Sequence, residues 1–279
     1  MYNIPPAFKE FISPDCDRAA FIQNYLRATG VETRIMPMEG KNHIYVQFPQ
    51  SQYNPMFRIK TVIAHYDRIG IGANDNSAAV FCLMEWALRQ AQGPHGEGQG
   101  PRVDGQSQHN IRLIFTDGEE LGAQGIKQQG AFPLAQVFRR LGITNDDIFV
   151  FDCMGRGDVP VIARTSIPPN VSTRFLKDFS ELEHRAQKIL QAGAGGRWFT
   201  LPCSYSDNAS FIANGIPAVA ITMLPSEDVQ AVLTGKPCAT WKLFHTPADN
   251  LESLTPVSFE IFTNILNALA AMKTLTYAP

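Results

Sequence analysis

The sequence predicts a three-layer α/β/α sandwich around a mixed, largely parallel central sheet. Three observations lead there. Residues 111–116, 148–152 and 216–223 are short apolar runs of the kind that form strands covered on both faces. They alternate with longer segments whose apolar residues recur at helical spacing, which is the pattern of strand–helix–strand units. Polar residues with catalytic chemistry, among them His65, Glu119, Glu120 and Asp152, stand directly after apolar runs, where open α/β sheets carry their sites.

Taken in order, Ser13 as N-cap and Pro14 at the first helical position predict a helix closing at Gly30. Residues 31–36 and 43–48 read as paired strands around the Gly40-Lys41-Asn42 turn. Phe57 to Ala64 is a strand that becomes fully apolar before His65, and 77–90 is apolar on nearly all sides, as a buried helix is. Residues 92–109 are rich in Gly and Gln without periodicity, and are expected to form a surface insertion loop. Phe175, Leu176, Phe179, Leu182, Ala186, Ile189 and Leu190 mark a further helix. Thr255-Pro256 opens a long terminal one, with Val257, Ile261, Ile265 and Leu269 expected to face inward. No linker or internal repeat interrupts residues 1–279, which read as one domain.

Composition narrows the function. Of 279 residues, 44% are hydrophobic and 18% charged, and the formal net charge is −2. This is a globular chain with ample core and no Lys/Arg-rich run, so nucleic acid is not an expected partner. No stretch approaches the about 20 apolar residues that span a bilayer, and Met1 to Pro6 does not read as a signal peptide. No membrane partner is expected. Cys16, Cys82, Cys153, Cys203 and Cys238 are odd in number and lack metal-type spacing, which suits a reducing compartment. The expected location is cytoplasmic. Nothing in the sequence indicates an oligomeric state.

Five stretches carry hard donors: Ala64-His65-Tyr66-Asp67, Gly72-Ala73-Asn74-Asp75-Asn76, Asp117-Gly118-Glu119-Glu120, Phe151-Asp152-Cys153-Met154-Gly155 and His245-Thr246-Pro247-Ala248-Asp249. Zinc takes imidazole nitrogen and carboxylate oxygen. On extended chain His65 and Asp67 point the same way, so Asp67 can fix the tautomer of a metal-bound His65; a solvated strand-end pair would look the same. Asp75 suits either a helix N-cap or a carboxylate bridging two cations. Glu119 and Glu120 cannot both be unpaired core; they are loop residues or a ligand beside a base. Asp152, behind four apolar residues, needs a cation or several donors. His245 supplies a second imidazole, and Asp249 either supports it or caps the loop. His43, His95, His109 and His184 are expected to be solvated.

These stretches resemble the zinc aminopeptidase family known as metallopeptidase family 28. The resemblance runs from about Thr61 to Leu254 and extends to Ser206-Asp207 and Gly215-Ile216-Pro217-Ala218, with Asn208 standing where the family has His. It implies the α/β/α fold and two Zn2+, although other divalent metals compete for such donors. His65, Asp75 and Asp152 would hold one ion, and Asp75, Glu120 and His245 the other. Glu119 would be the general base, and the Asp75–Asn76 peptide bond would be cis. The implied activity is exopeptidase cleavage at the N-terminus of short peptide substrates. Tyr205, Met154 and Phe199, from segments 154–175 and 197–206, are the expected substrate-binding residues. Glutaminyl cyclases, single-zinc transferases of the same fold, are an alternative, but they carry Trp directly before the last His, where this chain has Phe244 with Trp241 three residues earlier. Carboxypeptidase or deacylase specificity would need a cation in the pocket, for which Arg156, Arg164 and Arg197 are available. A non-catalytic binding relative would have lost ligands that are all present here.

Overall fold

The computed structural model describes residues 4–92 and 108–276. Two helices, α1 (Pro6–Phe11) and α2 (Arg18–Arg27), precede the sheet. α2 opens at Arg18 and not at Pro14, because Asp17, rather than Ser13, supplies the cap: its Oδ1 accepts the Ala20 N–H at 3.0 Å. The hairpin of β1 (Glu32–Met38) and β2 (Lys41–Gln47) turns at Gly40, as expected. There follow β3 (Lys60–His65), α3 (Ala78–Gln92), β4 (Ile111–Thr116), α4 (Ala131–Arg140) and β5 (Asp147–Phe151). Next come β6 (Val159–Arg164), α5 (Thr173–Gly193), β7 (Phe199–Pro202) and α6 (Asn208–Ala213). The chain closes with β8 (Ala218–Leu224), α7 (Ser226–Leu233) and α8 (Pro256–Ala271).

Among the described residues the strands form one eight-stranded sheet in the order β1-β2-β4-β3-β5-β8-β6-β7. Its centre, β4-β3-β5-β8, is parallel, while β1, β2 and the β6–β8 pair run antiparallel. Alternation along each central strand divides the core into two layers. Val62, Ala64, Leu113, Phe115, Phe149, Phe151, Val219 and Ile221 face α1, α2, α3, α5 and α8. Ile63, Ile114, Ile148, Val150, Ala218 and Ala220 face α4 and α6. The three-layer sandwich is therefore present, with both faces of the sheet covered.

Several particulars differ from expectation. Val257 is 39% exposed, and the inward face of α8 is Phe259, Phe262, Ile265, Leu266 and Leu269. His43 and His109 are buried, not solvated: His43 Nδ1 accepts the Asp117 N–H, and His109 stacks edge-on against Phe48 at 4.7 Å. Gln108 and His109 are ordered at the foot of the expected 92–109 loop, where the Asn54 side chain donates to Gln108; residues 93–107 of that loop, with His95, lie outside the described residues. His184 is exposed as expected. At the sheet edge away from the donors, buried Lys60 donates to the carbonyls of Leu269, Ala270 and Met272 at 2.7, 3.2 and 2.6 Å, closing the end of α8.

Candidate metal centre

The topology creates the crevice. The chain leaves β3 for β4 through α3 on one face, then returns through α4 on the other face to β5, which flanks β3 on its opposite side. Loops leaving β3 and β5 therefore diverge above the carboxyl edge, the usual binding position in such sheets. His65 ends β3, Asp152 directly follows β5, and Glu119 and Glu120 follow β4. The turn 73–77 brings Asp75 in from the start of α3.

Two donor groups result. One atom each from His65, Asp75 and Asp152 lie within 4.8 Å of one another, and so do one each from Asp75, Glu120 and His245. His65 Nε2 is 3.2 Å from Asp75 Oδ1 and 3.4 Å from Asp152 Oδ1. His245 Nε2 is 2.7 Å from Glu120 Oε2 and 3.5 Å from Asp75 Oδ2. Asp75 thus turns one carboxylate oxygen to each group.

The scaffold beneath is made of hydrogen bonds to backbone. Asp67 accepts the N–H groups of Glu119 and Glu120 at 3.0 and 3.1 Å, and its Oδ1 lies 3.4 Å from His65 Nδ1. Asp249 accepts those of Asn74 and Asp75 at 2.7 and 3.1 Å. Asn76 donates to the Phe151 carbonyl and accepts the Cys153 N–H, so it links the Asp75 turn to the strand carrying Asp152. A Cβ on Gly155 would come within 2.4 Å of Ala78 Cβ, so only glycine lets that loop meet the start of α3. The Asp75–Asn76 peptide bond is cis, and Cys153 and His245 adopt φ of 57° and 60°, rare for non-glycine residues. Gln129, which sequence reasoning did not single out, donates to Glu119 Oε1 at 2.9 Å.

Charge is heavily concentrated here. Burial would deprotonate His65, but Asp152, together with hydrogen bonds to Asp152, Asp67 and Asp75, holds the ring well above its ordinary pKa. The bond to Asp75 lifts His245 to about 9, against partial burial and with help from Glu120. Burial and Asp75 push Glu120 up to about 7; burial raises Glu119 well above the usual carboxylate range, with Asp152 adding to it and His65 opposing. Asp207, fully buried with Thr116 Oγ1 bonded to its Oδ2, is raised by burial to about 7. A cluster of carboxylates this dense calls for cations.

These donors, except His65 beneath them, line a cleft of about 340 Å³. Its polar lining is Asp75, Glu119, Glu120, Asp152 and His245; the apolar part includes Ala163, Ala220, Ile221, Trp241 and Phe244. Tyr205 lines it too, with its hydroxyl donating to the Gly122 carbonyl at 2.9 Å. Met154 and Phe199 do not: Met154 is buried in the main core, and Phe199 packs beside Val161 and Leu201. Asn208 is buried away from the lining and donates to Thr165 Oγ1. Among the described residues no Arg or Lys lines the cleft. Arg156 is spent on Thr240 and Ser253, Arg164 on the Thr200 carbonyl and Arg197 on Asp158.

Residues 44–270 match the sequence profile of Peptidase family M28. The chain belongs to that family. It has the family's fold. Similar solved structures include the LapA aminopeptidase of Legionella pneumophila, at TM-score 0.61 and 16% identity over 97% of this chain and 75% of that one. BSAP, a zinc aminopeptidase from Bacillus subtilis, gives 0.56 and 18% over 85% and 52%. The Bacteroides thetaiotaomicron glutaminyl cyclase bound to N-acetylhistamine gives 0.64 and 16% over 98% and 100%. No curated protein matches the chain. The donors fit the metal that the family implies: His65 Nε2 is buried facing the carboxylates of Asp75 and Asp152, Glu120 Oε1 is buried without a hydrogen-bond partner, and the mixed imidazole–carboxylate set is what zinc accepts.

Proposed function

We propose that this chain is an aminopeptidase, cleaving the first peptide bond of short peptides with an uncharged, apolar N-terminal residue. One observation carries this reading: the cleft pairs four carboxylates with an apolar wall and, among the described residues, has no Arg or Lys. Such a lining suits a substrate α-amine and has no side-chain cation to hold a substrate carboxylate, which disfavours carboxypeptidase specificity. An apolar first side chain gains about 25 cal/mol per Å² that it buries against Ala163, Ala220, Ile221 and Phe244.

His65, Asp75 and Asp152 would hold one zinc ion, and Asp75, Glu120 and His245 a second, with Asp75 shared. When bound, a pair of divalent cations supplies Lewis acidity and lowers the pKa of an attacking water. Asp67 orients the His65 ring through Nδ1, and its grip on two successive N–H groups sets Glu119 beside Glu120. Glu119 takes the proton of the water as its oxygen bonds to the scissile carbonyl carbon. It then delivers that proton to the amide nitrogen as the C–N bond breaks, releasing a free amino acid and the shortened peptide. Tyr205 closes one side of the side-chain pocket.

The test compares a free leucyl or phenylalanyl peptide with its N-acetylated form at neutral pH with zinc. The free peptide should be hydrolysed and the blocked one spared. Equal cleavage of both would overturn the assignment. Cyclisation of an N-terminal glutamine without hydrolysis would assign the glutaminyl cyclase activity instead.

A further inference from the structure

We propose that Gln129 is the positioning residue of Glu119, fixing which carboxylate oxygen is free to take the proton; the inference rests on Glu119 being the base. Gln129 is 1% exposed and stands just before α4, at the end of the turn that follows Glu119 and Glu120. Its Nε2 donates to Glu119 Oε1 at 2.9 Å. Its Oε1 accepts from Ser210 Oγ at 2.7 Å. Ser210 is fully buried in α6, and its own carbonyl accepts from Asn214 Nδ2 at 2.8 Å.

The direction of this chain is set by chemistry. An ionised carboxylate only accepts, so the amide must present its NH2 to Glu119 and its oxygen to Ser210, whose hydroxyl then donates. The opposite flip would set oxygen against oxygen. A glycine makes the contact available: a Cβ on Gly122 would meet Gln129 Nε2 at 2.9 Å and Cγ at 3.0 Å. Glu119 is thus held twice, at its N–H by Asp67 and at Oε1 by Gln129. Its Oε2 accepts no hydrogen bond from the described residues, which leaves it as the oxygen that handles the proton. Holding the base in one rotamer shortens the search for the reactive geometry, and a misplacement on the order of 1 Å can cost about 100-fold.

The experiment measures kcat, KM and zinc content for Gln129→Met and Ser210→Ala, each made in the parent and in a Glu119→Gln background, on one free-amine leucyl substrate. Gln129→Met should lower kcat about 10- to 100-fold with KM and zinc content unchanged. Ser210→Ala, the gentler change, should lower kcat in the same direction by less. In the Glu119→Gln background neither should lower kcat further, because both act through that carboxylate. Parent-like kcat in the folded single variants overturns the inference, and so does the same fractional loss in the Glu119→Gln background. Full turnover by Glu119→Gln alone would instead remove the base itself, a separate failure.

Discussion

Glu119 and Glu120 are neighbours in sequence whose side chains face different tasks. Asp67 ties both N–H groups, after which the Glu120 side chain meets His245 and the Glu119 side chain meets Gln129. Glu119→Gln keeps the shape and the hydrogen-bonding reach but cannot take a proton. Turnover should fall by a factor on the order of 10²–10⁴ while melting temperature and zinc content stay at the parent value; near-normal turnover in a zinc-loaded variant would remove Glu119 from the role. That these side chains converge was legible in sequence because five separate stretches each carry a hard donor, although each stretch alone has an ordinary reading. Gln129 was not, since an amide in a polar turn carries no signal until Ser210 and Glu119 are brought to it by the fold. Met154 and Phe199 failed as pocket walls for a related reason. Apolar residues near a site look alike whether they face the cleft or the core, and only the fold distinguishes them.

Among the elements, the apolar central strands and the long helices appear where the sequence placed them, because their patterning is dictated by burial on two faces. β6 was missed. Its sequence, Val-Pro-Val-Ile-Ala-Arg, contains a proline that argues against an interior strand. Pro160 stands opposite Met223 of β8, near the start of the strand, and pairing with β7 begins only at Val161. The end of α8 supplies a prediction that separates stability from function. Lys60→Met leaves three carbonyls at the end of α8, one buried and two half-buried, without their charged donor, which should cost about 2–4 kcal/mol in urea unfolding. Lys60 sits about 16 Å along β3 from His65, so kcat/KM well below the melting point should not change. A stable Lys60→Met protein, or a folded one with altered kcat/KM, would contradict this account.

For the molecule as a whole, folding gathers carboxylates from separate segments onto one edge, and their mutual repulsion opposes the fold until cations offset it. Chelation should therefore remove activity and also lower the melting temperature, and added zinc should restore both. The size follows mass action, about 2.7 kcal/mol at a free ion concentration 100 times Kd. An unchanged melting temperature after complete zinc removal would mean that the site is not strained by its charges. No helix among the described residues is long and apolar enough to cross a membrane, and all five cysteines are unpaired. The shared use of Asp75 is the central claim, because it separates a two-ion site from a one-ion site on the same fold. Zinc counted per chain by mass spectrometry of the native protein, in the parent and in Asp75→Ala, tests it most directly. The account predicts two ions in the parent and loss of both together in Asp75→Ala; one ion in the parent, or two retained by Asp75→Ala, would contradict it.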